Sequence, residues 1–361
     1  MKIGLIGLNQ TGKTTLFNLL TGRDDSAASS GGKGTANVGT GFVPDDRVDF
    51  LSALYKPKKT TYAKIELTDV AGLSLSSDGR SSGSSKFLND VRSCDALVHV
   101  LRAFESASVI HDLDTIDAAR DLGAVETEML VADLEMIEKR IGRIKEGKKI
   151  TKEHEAELHL LKRCFDWLDG GGSIVDMDLT EAERISIRSF SFLTEKPRLA
   201  VVNLDERQWE SKAWPNKDEL MSICAKSNIP LTELCVGSEL EISRLPEEDK
   251  QLFMEDMNIE QSGIAVLAMA VYSLLGLISF LTVGSDEVRA WTIEDGTIAK
   301  SAAGKVHSDI ERGFIRAEVV KYKSIKELGS MAKVKEKGLF RLEGKEYVVM
   351  DGDIINFRFN V

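Results

Sequence analysis

The stretch Gly7-Leu8-Asn9-Gln10-Thr11-Gly12-Lys13-Thr14 matches the pattern G-x-x-x-x-G-K-[ST]. Residues of these types at this spacing can cradle phosphate. Glycines let successive backbone N–H groups close around phosphate oxygens, and a following helix adds positive potential at its N-terminus. Lys13 would reach the β- and γ-phosphates, which makes it the first candidate catalytic residue. The Thr14 hydroxyl is a candidate magnesium ligand, and Asn9, Gln10, Thr11, Gly12 and Thr15 complete the expected nucleotide-contacting loop. A chance glycine turn would lack the context present here, an apolar segment (Ile3–Ile6) before the loop and a helical pattern (Lys13–Leu20) after it.

Two later segments have chemistry that fits such a loop. Asp69-Val70-Ala71-Gly72 closes a strand-like run, Ile65–Val70, with the spacing D-x-x-G. An acid at that strand end can hold magnesium through a water, and the Gly72 amide can sense a γ-phosphate, so Gly72 is the second catalytic candidate. Leu73 follows, where many GTP-hydrolysing proteins place a glutamine that orients the attacking water. Leucine neither donates nor accepts a hydrogen bond, so slow hydrolysis is expected, with the water placed by another group or by a partner. Asn203-Leu204-Asp205-Glu206 follows the run Leu199–Val202, where a guanine site carries N-K-x-D. Leu204 replaces the lysine and the longer Glu206 replaces the aspartate. Asn203, Leu204 and Glu206 are the candidate base-side residues, and they leave ATP or GTP open, because adenine lacks the paired N1–H and N2 donors of guanine. The plainer reading makes Asn203 a helix N-cap followed by ordinary acids.

The elements that must hold these residues alternate: strands at Ile3–Ile6, Ile65–Val70, Ala96–Leu101 and Leu199–Val202, helices at Lys13–Leu20 and Arg47–Tyr55. That alternation indicates an α/β domain with a mainly parallel sheet. Gly22–Gly41 and Gly72–Ser85 are rich in small residues and read as loops. Glu126–Glu146 and Lys152–Leu168 are long charged helices with Leu130, Leu134, Ile137 and Ile141 at 3–4 spacing, a hairpin or short coiled coil that either packs on itself or projects as an arm. Gly263–Gly284 is long enough to suggest a membrane span, but Gly276 breaks it into a core helix and a strand, Leu277–Val283. Beyond Gly276, short runs at Val288–Ile293, Gly313–Val320, Glu346–Val349 and Ile354–Asn360 indicate a separate small β-rich domain.

With 361 residues, more than one domain is expected. The net charge of −11 argues against a protein that coats nucleic acid, and no DNA partner is expected. Charge is uneven: residues 277–361 hold 14 Lys+Arg against 13 Asp+Glu, so the acidity lies upstream. Cys94, Cys164, Cys224 and Cys235 form no C-x-x-C pair and read as buried thiols of a reduced compartment. The N-terminus runs directly into a strand, without a signal peptide, so a cytoplasmic location away from membranes is expected. His99 reads as a core-edge histidine.

The ordered motifs, with Ala36-Asn37-Val38-Gly39, Val98-His99-Val100, Phe192-Leu193-Thr194-Glu195-Lys196-Pro197, Val288-Arg289-Ala290-Trp291-Thr292, Gly313-Phe314-Ile315-Arg316-Ala317 and Asp351-Gly352-Asp353, resemble the YchF (Obg-like ATPase) family over nearly the whole length. The resemblance implies a G domain at 1–122 and 190–275, a helical coiled-coil insertion at 123–189, and a C-terminal TGS domain of β-grasp fold at 277–361. It also implies magnesium, ATP accepted through an N-x-x-E motif matched by Asn203 and Glu206, and ribosome association in the cytoplasm. Two places depart from the pattern. Gln10-Thr11 stands where the family carries Asn-Val, which argues against potassium dependence. Lys33 stands at the first-switch threonine, leaving Thr35 as the candidate third magnesium ligand beside Thr14 and Asp69. A regulatory ATPase switch is the leading expectation. A non-hydrolysing nucleotide scaffold, a GTP-specific enzyme and a small-molecule kinase are the alternatives, the last lacking arginines for a phosphate lid.

Overall fold

A computed structural model describes the chain except residues 24–36, 76–80, 83, 107–108, 110, 114, 148–149, 247–248, 251, 253–261 and 361. In chain order the first part runs β1 (Lys2–Ile6), α1 (Lys13–Thr21), β2 (Asn37–Val43), α2 (Asp46–Tyr55), β3 (Lys59–Thr61), β4 (Ala63–Asp69), β5 (Ser74–Leu75), β6 (Ser81–Ser82), α3 (Ser84–Arg92) and β7 (Ala96–Arg102). The middle holds α4 (Ala118–Glu146), α5 (Lys152–Asp169), α6 (Glu181–Ile187), β8 (Arg198–Asn203), α7 (Glu206–Ser211), α8 (Lys217–Lys226), β9 (Leu231–Leu234) and α9 (Val236–Arg244). Then come α10 (Gly263–Leu274), β10 (Leu277–Val283), β11 (Glu287–Glu294), α11 (Ala299–Val306) and α12 (Ser308–Arg312). The chain closes with β12 (Phe314–Lys321), α13 (Tyr322–Leu328), α14 (Met331–Glu336), β13 (Arg341–Glu343) and β14 (Asp353–Phe359). Two compact units result, one from Met1–Gly39 and Glu66–Gly263, the other from Thr40–Ile65 and Ile264–Val361.

In the first unit β1 pairs in parallel with β4 and β7, β7 with β8, and β8 with β9, within a sheet ordered β2-β4-β1-β7-β8-β9. The fold is α/β, as the alternation predicts. Strands β7 and β8 are buried at every position, which is why both read as continuous apolar runs rather than alternating ones. Register places Asp69 beside Leu5 and Asn203 beside Arg102, so the ends of β4 and β8 lie on the same side of the sheet as the loop leaving β1. In open parallel sheets ligands bind at these carboxyl ends.

Helices α4 and α5 form the expected hairpin. Asp117 caps α4 by accepting from the amides of Ala119 and Arg120, so the helix starts at Ala118 rather than at Glu126. Ile137 and Ile144 pack with Leu161, Cys164 and Leu168 in one buried cluster. The fully buried Asp133 carboxylate accepts from the Leu193 and Thr194 amides at 3.1 and 2.9 Å and from the Thr194 hydroxyl at 2.9 Å. These bonds give the Phe192–Pro197 stretch a structural role: it anchors α4.

In the second unit the sheet order is β13-β12-β14-β10-β11-β3. Helix α11 covers one face through Ala299, Ala302 and Ala303, packed among Phe280, Ile293, Val319 and Ile355. The short β3 adds in parallel to β11, and Arg47 on α2 pairs with Asp45 at 2.8 Å and Asp351 at 2.6 Å.

Several expectations need correction. Residues 37–41 belong to β2 rather than a loop, and α3 with the short β5 and β6 occupies part of 72–85. Residues 346–349 form no strand. Tyr347 and the Met350 amide instead donate to the Asp353 carboxylate, which shapes a turn with one isolated bridge from Val348 to Ile298. The C-terminal region also carries helices α11–α14, whose short lengths escaped the period analysis. The apolar stretch behaves as expected: α10 stops at Leu274, Gly276 turns with φ 59°, and β10 follows. Among the described residues no helix is long and apolar enough to cross a membrane. All four cysteines are free and buried.

Candidate nucleotide-binding site

The phosphate end is built by the loop between β1 and α1. Helix α1 begins with no side-chain cap and no acid in its first turn, so its leading amides and their positive potential are left to an incoming anion. Gly12 adopts φ 96°, and a Cβ there would strike the Asn203 side chain, so only glycine fits. Gln10 holds φ 58°, a left-handed conformation costing a non-glycine residue on the order of 1 kcal/mol. Lys13 is buried, and its ammonium donates to the carbonyls of Leu8 and of Gly7, the latter at 3.3 Å. Burial pushes its pKa down to about 8 against the opposing pull of Asp69 and Asp112. Lys13 therefore rests on the loop it would leave to meet a phosphate.

The Thr14 hydroxyl donates to Asp69 Oδ2 at 2.9 Å, which joins two of the three expected magnesium ligands. Burial raises the Asp69 carboxyl, with Thr14, Lys13 and Asn37 acting against it. A hydroxyl and a carboxylate at a helix N-terminus are hard oxygen donors that fit a magnesium ion whose remaining ligands are phosphate and water. Thr35 lies outside the described residues. Gly72 sits against Asn9, where a Cβ would clash with the asparagine side chain. Leu73 is fully buried among Leu8, Val70, Phe87 and Val91, and its backbone bonds Gly7 and Asn9 at 3.1 and 3.2 Å. Its side chain thus points into the core, so its lack of a polar group matters less to a water than the sequence implies.

The base end is a cleft of about 1030 Å³ lined by Gly12, Thr15, Phe104, Asn203–Gln208 and Cys235–Ser238. Asn203 links it to the phosphate loop: its Nδ2 donates to the Thr11 carbonyl at 3.1 Å and its Oδ1 accepts from the Val236 amide at 3.2 Å. The helix N-cap is Asp205, which accepts from the Gln208 amide, so the reading of Asn203 as a cap is corrected. The Leu204 side chain is buried, packing with Trp214 and Leu220. Glu206 stands at the first turn of α7, exposed on the cleft, and its Oε1 accepts from the Ser238 hydroxyl at 3.3 Å.

Sequence reasoning missed Phe104, Asp112, Val236 and Ser238. Asp112 approaches Asn9 at 3.4 Å on a loop held by His111. The Leu113 amide donates to His111 Nδ1 at 3.1 Å, so Nε2 carries the proton donated to Asp121 at 2.9 Å. The one available signal was Cys235-Val236-Gly237-Ser238, small residues at the end of β9. His99 is fully buried, not at a core edge, and burial together with Lys13 and Arg198 pushes its pKa down to about 3.

Asn203 makes loop and cleft one continuous wall, which places the chain among P-loop nucleotide-binding proteins. Comparison with known proteins narrows that class. Residues 2–132 match a family described as 50S ribosome-binding GTPase, and residues 277–360 match YchF-GTPase_C, described as a protein of unknown function (DUF933). The chain is 39% identical over 361 residues to the ribosome-binding ATPase YchF of Bacillus subtilis, with 99% of each chain covered. It is 37% identical over 363 residues to the protein of that name from Escherichia coli O157:H7, covering 100% of this chain and 99% of that one. The structure of the Schizosaccharomyces pombe YchF GTPase matches with a TM-score of 0.86 at 29% identity, over 99% of this chain and 97% of that one. The chain belongs to the YchF family.

Proposed function

We propose that the chain is a magnesium-dependent nucleotide hydrolase that binds and slowly hydrolyses ATP, accepts GTP less well, and acts as a ribosome-associated switch in the cytoplasm. The observation carrying this reading is the wall formed by Asn203, which joins a phosphate loop to a cleft that presents Glu206 to a base. The bacterial relatives are named ribosome-binding ATPases and the fission-yeast structure a GTPase, so names leave the base open and the cleft must decide.

Chemically, Lys13 would exchange its loop carbonyls for β- and γ-phosphate oxygens, whose charge holds it protonated. Thr14 and Asp69, with Thr35 as the expected third ligand, would hold magnesium, which when bound neutralises charge developing on the phosphates. The Gly72 amide would report the γ-phosphate through its contact with Asn9. With Leu73 turned into the core, no side chain at this position reaches the attacking water, which supports a slow intrinsic rate. By the same token it favours the second reading, a scaffold with little turnover. The division into a G domain (1–122, 190–275), a helical insertion (123–189) and a C-terminal domain (277–361) completes the proposal: the first holds nucleotide and the others meet the partner.

Calorimetric titration of nucleotide-free protein with ATP and GTP in magnesium buffer tests the reading, with Lys13→Ala alongside. Tighter ATP binding, weakened at least about 100-fold in the variant as expected for a lost buried charge pair, supports it. Tighter GTP binding overturns the base assignment. Single-turnover hydrolysis with excess protein separates switch from scaffold, since a scaffold leaves the ATP intact.

A further inference from the structure

The base cleft contains a chain of three polar side chains, two of which, Cys235 and Ser238, lie outside the family motifs. Ser238 is 5% exposed, and its Oγ lies 3.0 Å from Cys235 Sγ and 3.3 Å from Glu206 Oε1. The direction of this chain is fixed by chemistry. An ionised carboxylate only accepts, so the serine proton goes to Glu206, and the thiol proton of Cys235 goes to the serine oxygen. Cys235 thereby holds the Ser238 hydroxyl in the rotamer that faces Glu206. Among the described residues no partner holds the other carboxylate oxygen, Oε2, and Glu206 is exposed on the cleft.

We propose that Ser238 is a positioning residue for base selection: it engages Glu206 Oε1 and leaves Oε2 as the oxygen that faces the base. This rests on the reading of the cleft as the base site. A carboxylate with one free oxygen suits the single exocyclic amino group of adenine. Guanine presents N1–H and N2–H₂ side by side and is bound best by two fully available oxygens at once, whereas Glu206 meets it with Oε1 already engaged by the Ser238 hydroxyl and so the weaker acceptor of the two. Adenine nucleotides are thus favoured by weakening and orienting half of the acceptor pair that guanine needs, a discrimination made against the competitor.

Equilibrium titration of the full chain with ADP, GDP and IDP tests this without interference from hydrolysis. Ser238→Ala is expected to tighten GDP on the order of tenfold, the worth of one hydrogen bond to a charged group, while ADP changes less than about twofold. IDP keeps N1–H but lacks the 2-amino group, so it should gain less than GDP. Ser238→Thr, which retains the hydroxyl, should keep the wild-type ADP:GDP ratio. Should Ser238→Ala fail to fold, Ser238→Cys carries the same test, since a thiol is a much weaker donor. An unmoved ADP:GDP ratio in the serine variants, with Glu206→Gln shifting it, overturns the proposal and leaves the base-site reading standing. If Glu206→Gln also leaves the ratio unmoved, the base-site reading falls with it.

Discussion

The two ends of the nucleotide site are made differently. At the phosphate end the parts are contiguous in sequence and largely backbone: a loop with Gly12 at φ 96°, the uncapped start of α1, and the buried Lys13 resting on its own loop carbonyls. At the base end the parts are side chains from three distant segments, Phe104 after β7, Glu206 at the start of α7 and Ser238 in α9, and they line the cleft with Glu206 exposed on it. An anion needs oriented dipoles, which one helix terminus supplies locally. Discriminating one purine from another needs a few donors and acceptors at particular points, which only the assembled fold can provide. Tight binding and selectivity should therefore fail separately when the two ends are altered.

Leu73→Gln tests the phosphate end most severely. If the side chain were the missing water-orienting group, glutamine would restore fast turnover. The burial of Leu73 among Leu8, Val70 and Phe87 predicts otherwise. An amide there loses its water without gaining a partner, and stability should fall by roughly 2–4 kcal/mol with no gain in turnover. Denaturant melts alongside single-turnover rates decide the matter. A tenfold faster rate at undiminished stability would mean that residue 73 faces the nucleotide during hydrolysis.

Asn203 is where the two ends meet, so its replacement should harm both. Asn203→Ala leaves the Thr11 carbonyl and the Val236 amide without their bonds at 3.1 and 3.2 Å. Two lost hydrogen bonds predict about 2 kcal/mol, or roughly thirtyfold weaker binding, shared equally by ATP and GTP. Calorimetry with both nucleotides checks it. A loss confined to one nucleotide would make Asn203 a reader of the base rather than a brace, and the contrast drawn above would dissolve.

The same contrast explains what could be read from the sequence. The phosphate loop, Asp69 and the strand before Asn203 were legible because each is a local pattern of glycine, charge and apolar run. Glu206 was legible only as a departure from a known motif, and its partner was not legible at all. Ser238 lies more than thirty residues downstream, and nothing in Cys235-Val236-Gly237-Ser238 announces a bond to α7. In the second unit β3 escaped for a related reason: Lys59-Thr60-Thr61 shows no apolar alternation, and only its pairing with β11 makes it a strand. The reading of 346–349 as a strand failed because Asp353 captures the Tyr347 hydroxyl and the Met350 amide in a turn.

The smallest effect concerns the floor of the phosphate end, where one titratable group, His99, is held uncharged by burial. His99 lies on β7 paired with Ile6, its ring nitrogens are without hydrogen-bond partners among the described residues, and its pKa is pushed down to about 3. Burial is the main cause, with the positive charges of Lys13 and Arg198 adding to it. In the unfolded chain the imidazole titrates near its ordinary value of 6.5. Below that pH the unfolded state takes up a proton that the folded state refuses, so stability should fall as pH drops from 6.5 towards 3 and be unaffected by this group above 6.5. The slope from one such residue is at most about 1.4 kcal/mol per pH unit. His99→Leu removes the group while keeping the site apolar, and its stability should decline less steeply over the same range when urea midpoints are compared with wild type. Parallel declines would mean that His99 is protonated in the folded protein and paired with an acid, which would make the phosphate end less dry than its Lys13 suggests.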